Sequence, residues 1–190
     1  MVEPIEIVPQ IRRLRLTQIG PWAEATLEFS DVLNLITKEG SSLGTSTILR
    51  GLVEAVRSVG PARDGLAYTS GCLGGKVEVE FRAPPVDPSA TVAIRQPVAD
   101  RGTGRLILAL LRACLDAAPP NMAIIVADDV TATLDLPAYQ EAVGLLNHAG
   151  GQVICVIAHR FRSKDFPTAR VFSGACERPN SATIQPRSGE

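Results

Sequence analysis

Apolar residues first alternate with polar ones along this chain and then switch to a helical period. Leu14 and Leu16 alternate with flanking arginines, and Ala25, Leu27 and Phe29 alternate with polar neighbours. Two early strands, each with one buried face, are predicted. Val32-Leu33-Asn34-Leu35-Ile36 is a short apolar run that suits a strand covered on both faces. The turn-rich stretch Thr37 to Gly44 is predicted as a loop. Ile48, Leu49, Leu52, Val53 and Val56 then recur at i, i+3 and i+4 spacing, which predicts a helix from about Thr45 to Ser58.

Residues 59–75 are glycine-rich and read as loop. Val77, Val79 and Phe81 alternate with Lys76, Glu78 and Glu80, the pattern of a half-exposed strand. Pro84, Pro85 and Pro88 make a rigid connection, after which Thr91 to Ile94 returns as a strand. Leu106 to Leu115 is too apolar for a surface helix and is predicted to pack centrally, stopped by Pro119-Pro120. Ala123 to Val126 forms a second doubly buried strand, followed by Asp128-Asp129. Pro137 opens a helix carrying Tyr139, Val143, Leu145 and Leu146, and Gly150-Gly151 ends it. Val153 to Ile157 is a third buried strand leading to His159. Beyond Cys176 the chain is rich in Pro, Ser, Gly and Arg, and reads as a weak edge strand or a disordered tail. Residues 1–176 are therefore expected to form one domain and 177–190 a tail. Buried strands joined through helices predict an α/β fold, with a largely parallel central sheet, helices on both faces and an antiparallel N-terminal strand region.

Composition narrows the class without naming a job. The chain has 190 residues, 19 Lys+Arg against 20 Asp+Glu, and 45% hydrophobic residues. Those values exclude a disordered chain and a strongly basic nucleic-acid coat. One Trp, two Tyr and five Phe leave the core mainly aliphatic. The four cysteines form no C-x-x-C pair and have no adjacent histidines, so a reduced interior is expected rather than a zinc set. The N-terminus lacks a secretory pattern, and no apolar run approaches the roughly 20 residues that span a bilayer. A cytoplasmic protein without membrane insertion is the expectation.

Three features fall after buried strands, where open α/β sheets bind ligands. The first is the loop through Gly40, Ser41, Ser42 and Gly44 into Thr45, Ser46 and Thr47 at a helix start. Small residues let backbone amides approach a phosphate, and the helix N-terminus adds partial positive charge. A P-loop reads G-x-x-x-x-G-K-[ST]. Here Glu39 stands at the first glycine and Thr45 at the lysine, while Gly44, Ser46 and Thr47 are kept. The second is Asp128-Asp129, where a first acid can position Mg²⁺ and a second can orient water. The third is His159. Each also has an ordinary structural reading: a capped turn, a loop start and a buried histidine.

Their order resembles the ABC-type ATPase superfamily, especially compact heads of the SMC and RecF type. Ile11 to Leu16 and Leu27 to Ile36 resemble the N-terminal strands that lead to that family's P-loop. Asp128-Asp129-Val130-Thr131-Ala132-Thr133-Leu134-Asp135 is similar, position for position, to the Walker B and D-loop run D-E-P-T-S-A-L-D. Ile157-Ala158-His159-Arg160 resembles the switch-histidine strand. Gly102-Thr103-Gly104-Arg105 sits where a signature motif is expected. The resemblance implies a P-loop NTPase-like fold that binds ATP with Mg²⁺. It implies phosphate contacts from Gly40, Ser41, Ser42, Gly44, Thr45, Ser46 and Thr47, and metal contacts from Ser46 and Asp128. Asp129 would act on water and His159 would sense the γ-phosphate. It also implies a homodimer or a complete partner head.

The departures point toward relaxed hydrolysis. Thr45 supplies no charge, Asp129 is one methylene shorter than the usual Glu, and Gly102 stands at the signature serine. Gln96 is the one candidate for a Mg²⁺-sensing glutamine. The stretch from Thr47 to Gly102 is short and has no heptads, so coiled-coil arms are absent from it. Three readings follow. One is an ATP-binding head whose hydrolysis is weak or depends on a partner, another an inactive interaction or regulatory module. The third is a RecF-like protein of DNA repair or defence. The balanced charge lends nucleic-acid binding no support. Arg12, Arg13 and Arg15, and Arg160, Arg162 and Lys164, read first as solvated faces.

Overall fold

A computed structural model describes residues 10–39, 44–58, 66–72, 75–83, 92–95, 108–109, 111–113, 124–132, 134–157, 161–175 and 183–186. Its strands are β1 (Gln10–Ile19), β2 (Trp22–Glu28), β3 (Leu33–Glu39), β4 (Leu66–Cys72) and β5 (Gly75–Ala83). They continue as β6 (Val92–Arg95), β7 (Ile124–Asp128), β8 (Gln152–Ile157), β9 (Arg170–Ala175) and β10 (Thr183–Pro186). Helix α1 spans Thr45–Ser58 and helix α2 spans Leu136–Asn147. One sheet runs β2-β1-β5-β4 and is antiparallel. The other runs β10-β9-β3-β8-β7-β6, with every pair parallel except β9–β10.

The period-two geometry of strands explains how the layers stack. Ile36, Val126, Ile154 and Val156 face one way and pack with Ile48 and Leu52 of α1 and with the antiparallel sheet. Leu35, Ile125, Ala127, Val153, Cys155 and Ile157 face the other way and pack with Tyr139, Ala142 and Leu146 of α2. All six residues of β8 are buried, as a strand covered on both faces requires. The parallel sheet is therefore the middle layer, with a helix on each face, in agreement with the expected α/β class.

Polar latches join the layers. Gln152, 1% exposed, accepts from Ile11 N–H through Oε1 at 2.8 Å and donates through Nε2 to Ile11 and Ser30 carbonyls, each at 2.8 Å. Asn34 is wholly buried in its apolar run because it organises the turn before β3: its Nδ2 donates to Ser30 O at 3.0 Å, and its Oδ1 accepts from Ser30 N–H at 2.7 Å. These side chains satisfy main-chain groups that would otherwise be buried and unpaired.

Four sequence expectations are corrected. Thr37 to Glu39 continues β3 rather than opening a loop, because these residues pair with Ser173, Gly174 and Ala175 of β9. Residues 66–72, expected as loop, form β4, which β5 recruits as an antiparallel partner. Residues 108, 109 and 111–113 are helical, and among them Leu111 is 1% exposed and Leu108 half-buried, whereas Ala109, Arg112 and Ala113 are exposed, the pattern of a surface helix. The Arg112 guanidinium pairs with Glu141 of α2. Strand β9 carries no recognisable alternation and was not expected, yet it covers the edge of β3 and in turn accepts β10 as an antiparallel edge.

Candidate functional site

The site lies at the carboxyl ends of β3 and β7, with β8 between them. Register places Thr37 of β3 beside Ile157, and Val156 beside Asp128 of β7. Helix α1 starts just beyond β3 and carries Ser46, exposed, in its first turn. The Ser46 hydroxyl donates to Asp128 Oδ1 at 3.0 Å. Two residues far apart in sequence, both expected as metal ligands, thus meet across the intervening strand. No acidic side chain of α1 itself occupies its first turn, so the carboxylate at the positive end of its dipole is the one that Asp128 brings from β7.

Asp129 adopts a left-handed backbone, φ 49°, and its N–H donates to Val156 O at 2.9 Å. Asp tolerates this region better than most residues, a backbone reason for the shorter acid here. The chain then descends through tight turns, with Ala132 N–H donating to Asp129 O at 3.1 Å and Leu134 N–H to Thr131 O at 3.3 Å. Asp135 ends the run by capping α2, its Oδ1 accepting from Ala138 N–H at 2.9 Å. The block that resembles a Walker B and D-loop run is thus a strand end, a reversal and a helix cap. Behind it, burial pushes the Cys155 thiol well above its ordinary range, and the nearby charges of Asp129 and Asp128 add to the effect. Cys155 is inert packing.

The entry to α1 is closed from the side. Gly44 has φ 120°, and a Cβ there would fall 2.4 Å from Pro21 Cγ and 2.8 Å from Trp22 Nε1. Only glycine fits. Thr45, the first residue of α1, is 5% exposed. Its methyl and the far edge of the Trp22 indole lie over Gly174 of β9, at 3.6 and 3.4 Å from where a Cβ of Gly174 would stand. The Thr47 methyl faces Gly20 in the β1–β2 turn. Trp22 and Gly174 went unmarked in the sequence. The signal available was a lone tryptophan directly after a Gly-Pro turn.

Other expected residues lie outside the described ones: Gly40, Ser41, Ser42, His159, Gln96 and the segment Gly102 to Arg105. On the strand face, Arg12 and Arg13 both pair with Glu80, at 3.0 and 2.5 Å, and remain partly exposed. That is the solvated face the sequence suggested. Among the described residues no helix is long and apolar enough to cross a membrane.

Comparison with solved structures fixes the architecture. The SMC head domain from Thermotoga maritima superposes with a TM-score of 0.57 at 15% identity, covering 95% of this chain and 100% of that one. This is the fold of an SMC head. An SMC head bound to the C-terminal winged-helix domain of ScpA gives 0.57 at 10% identity, covering 95% and 98%. An SMC head with an extended coiled coil, bound to the C-terminal domain of ScpA from Pyrococcus furiosus, gives 0.55 at 9%, covering 95% and 96%. No protein-family description and no curated protein matches the chain by sequence. The chain therefore shares the SMC-head fold at an identity so low that its own side chains must carry any functional argument.

Proposed function

We propose that the chain is an ATP-binding, ABC-type head whose hydrolysis is weak or depends on a partner. The observation that carries this reading is the Ser46–Asp128 contact, which joins the start of α1 to the end of β7 at the C-terminal edge of a parallel sheet. A hydroxyl and a carboxylate are hard oxygen donors of the kind Mg²⁺ takes. Among the described residues there is no cluster of three or more His, Cys, Asp or Glu. Mg²⁺ needs none, since it is ordinarily held by one or two protein oxygens together with water and phosphate.

In this reading Ser46 and Asp128 hold the metal, and amides at the start of α1 bind phosphate along the helix dipole. When bound, Mg²⁺ would supply charge neutralisation to the phosphates. Asp129 accepts a hydrogen bond from the attacking water, and His159 contacts the terminal phosphate. Gly40, Ser41 and Ser42 complete the cradle with backbone amides. Thr45 contributes no charge. Loss of a preorganised electrostatic donor slows such reactions about a hundred- to a thousandfold, which supports slow turnover by the chain alone. The partner in this reading is a second head, a copy of this chain or a more complete one.

A second reading, an inactive interaction module on the same fold, draws support from the burial of neutral Thr45 at the entry to α1. Calorimetric titration with Mg²⁺-ATP separates the two. Saturable binding that Asp128→Ala weakens by about tenfold or more is expected for the first. Absence of heat or thermal shift at millimolar nucleotide leaves only the second.

A further inference from the structure

We propose that Trp22 is a positioning residue for the entry to α1. Its indole holds the peptide at Gly44 in the orientation that aims the first amides of the helix and the Ser46 hydroxyl. The link to phosphate rests on the nucleotide reading above; the anchoring itself does not.

Trp22 is 1% exposed, and its Nε1–H donates to Gly44 O at 2.9 Å. The same oxygen accepts from Ile48 N–H at 3.1 Å, the first bond of the α1 ladder. A carbonyl has two lone pairs, so both donors are accommodated. The indole and the helix thus grip one atom from two sides. Pro21 closes the third side, since any side chain at residue 44 would overlap its ring. The turn carrying these residues is itself stiff: Ile19 pairs directly with Trp22, and proline fixes its own φ. At its other end the indole rests over Gly174 of β9 beside the Thr45 methyl. The ring therefore spans from the edge of the parallel sheet to the helix entry. A buried indole N–H needs some acceptor; here the acceptor is the carbonyl that starts the helix ladder.

Trp22→Phe retains the apolar ring and removes the donor. Two readouts are taken on the full chain. Without nucleotide, amide hydrogen exchange at Ile48 is expected to quicken about fivefold relative to Leu52 in the same helix, a contrast that uniform loss of stability does not produce. With nucleotide, the Kd for Mg²⁺-ATP is expected to rise about fivefold while the far-ultraviolet spectrum is unchanged. Equal exchange at Ile48 and Leu52 in wild type and variant overturns the anchoring. An unchanged Kd overturns the link to the phosphate site. Should Trp22→Phe not fold, the wild-type chain decides, because Trp22 is the sole tryptophan. Saturating Mg²⁺-ATP is expected to alter its emission, and an identical spectrum overturns the link. If the wild type binds no Mg²⁺-ATP by calorimetry, the nucleotide reading fails, and exchange at Ile48 alone judges the anchor.

Discussion

Thr45 concentrates the tension between sequence and structure at the scale of one residue. In the nucleotide reading its position is that of the P-loop lysine, while its surroundings hold a small neutral side chain, 5% exposed, with its methyl over Gly174. A lysine there has to thread its amine out of a packed site, and overpacking of this kind costs about 1–3 kcal/mol. Thr45→Lys is accordingly expected to lower the thermal midpoint of the free chain. Mg²⁺-ATP should restore it, because the amine then meets phosphate. Thermal melts with and without nucleotide check this. A variant that is destabilised and not rescued means that the loop does not cradle phosphate as proposed. Asp129 shows a complementary case, a residue whose short side chain suits its left-handed φ of 49°.

At the scale of elements, the run from Asp128 to Asp135 does its work as a unit. Strand β7 ends on a carboxylate, the chain reverses at Asp129, and Asp135 caps α2 with Pro137 in its first turn. The cap couples helix α2 to the site, since any fraying there loosens the turns that begin at Asp129. Asp135→Ala is expected to cost about 1 kcal/mol, measured as a lower urea midpoint with unchanged slope. Asp135→Asn, which can still accept the Ala138 N–H bond, should recover most of the loss. If Asn behaves like Ala, the hydrogen bond is not what stabilises α2. Elements with strong periodicity were legible: α1 falls on its expected bounds, and β7 and β8 fall within a residue or two. Strand β9 was not, because it lies between β3 and β10 with Phe172 packed on one face and Val171 on the other, so its short run shows no alternation.

At the scale of the whole molecule, the antiparallel sheet and the parallel sheet must keep their relation for the β1–β2 turn to reach α1. Gln152 fixes that relation through its bonds to Ile11 and Ser30. Gln152→Leu keeps the bulk and removes the bonds to the buried Ile11 N–H and C=O, while the Ser30 carbonyl keeps its bond from Asn34 Nδ2. Each such group costs about 1–3 kcal/mol, so a loss of about 2 kcal/mol or more is expected by chemical denaturation. A change below about 1 kcal/mol would show that the sheets hold together by apolar packing alone.

The sequence by itself determined the layers and the order of the chemistry. Periods of two and 3.6 are local properties, and they specify which residues must be buried whatever the fold. The placement of Asp128-Asp129 after an apolar strand, and of Ser46 in a first helical turn, was equally local. Only the tertiary structure decided that Ser46 and Asp128 touch, because their meeting depends on β8 lying between β3 and β7, a matter of strand order that no periodicity encodes. It alone showed that Thr45 is buried and that Trp22 holds the helix entry, since both depend on the β1–β2 turn and β9 converging on Gly44. Contacts between distant segments arise from packing geometry. Sequence spacing constrains that geometry without specifying it.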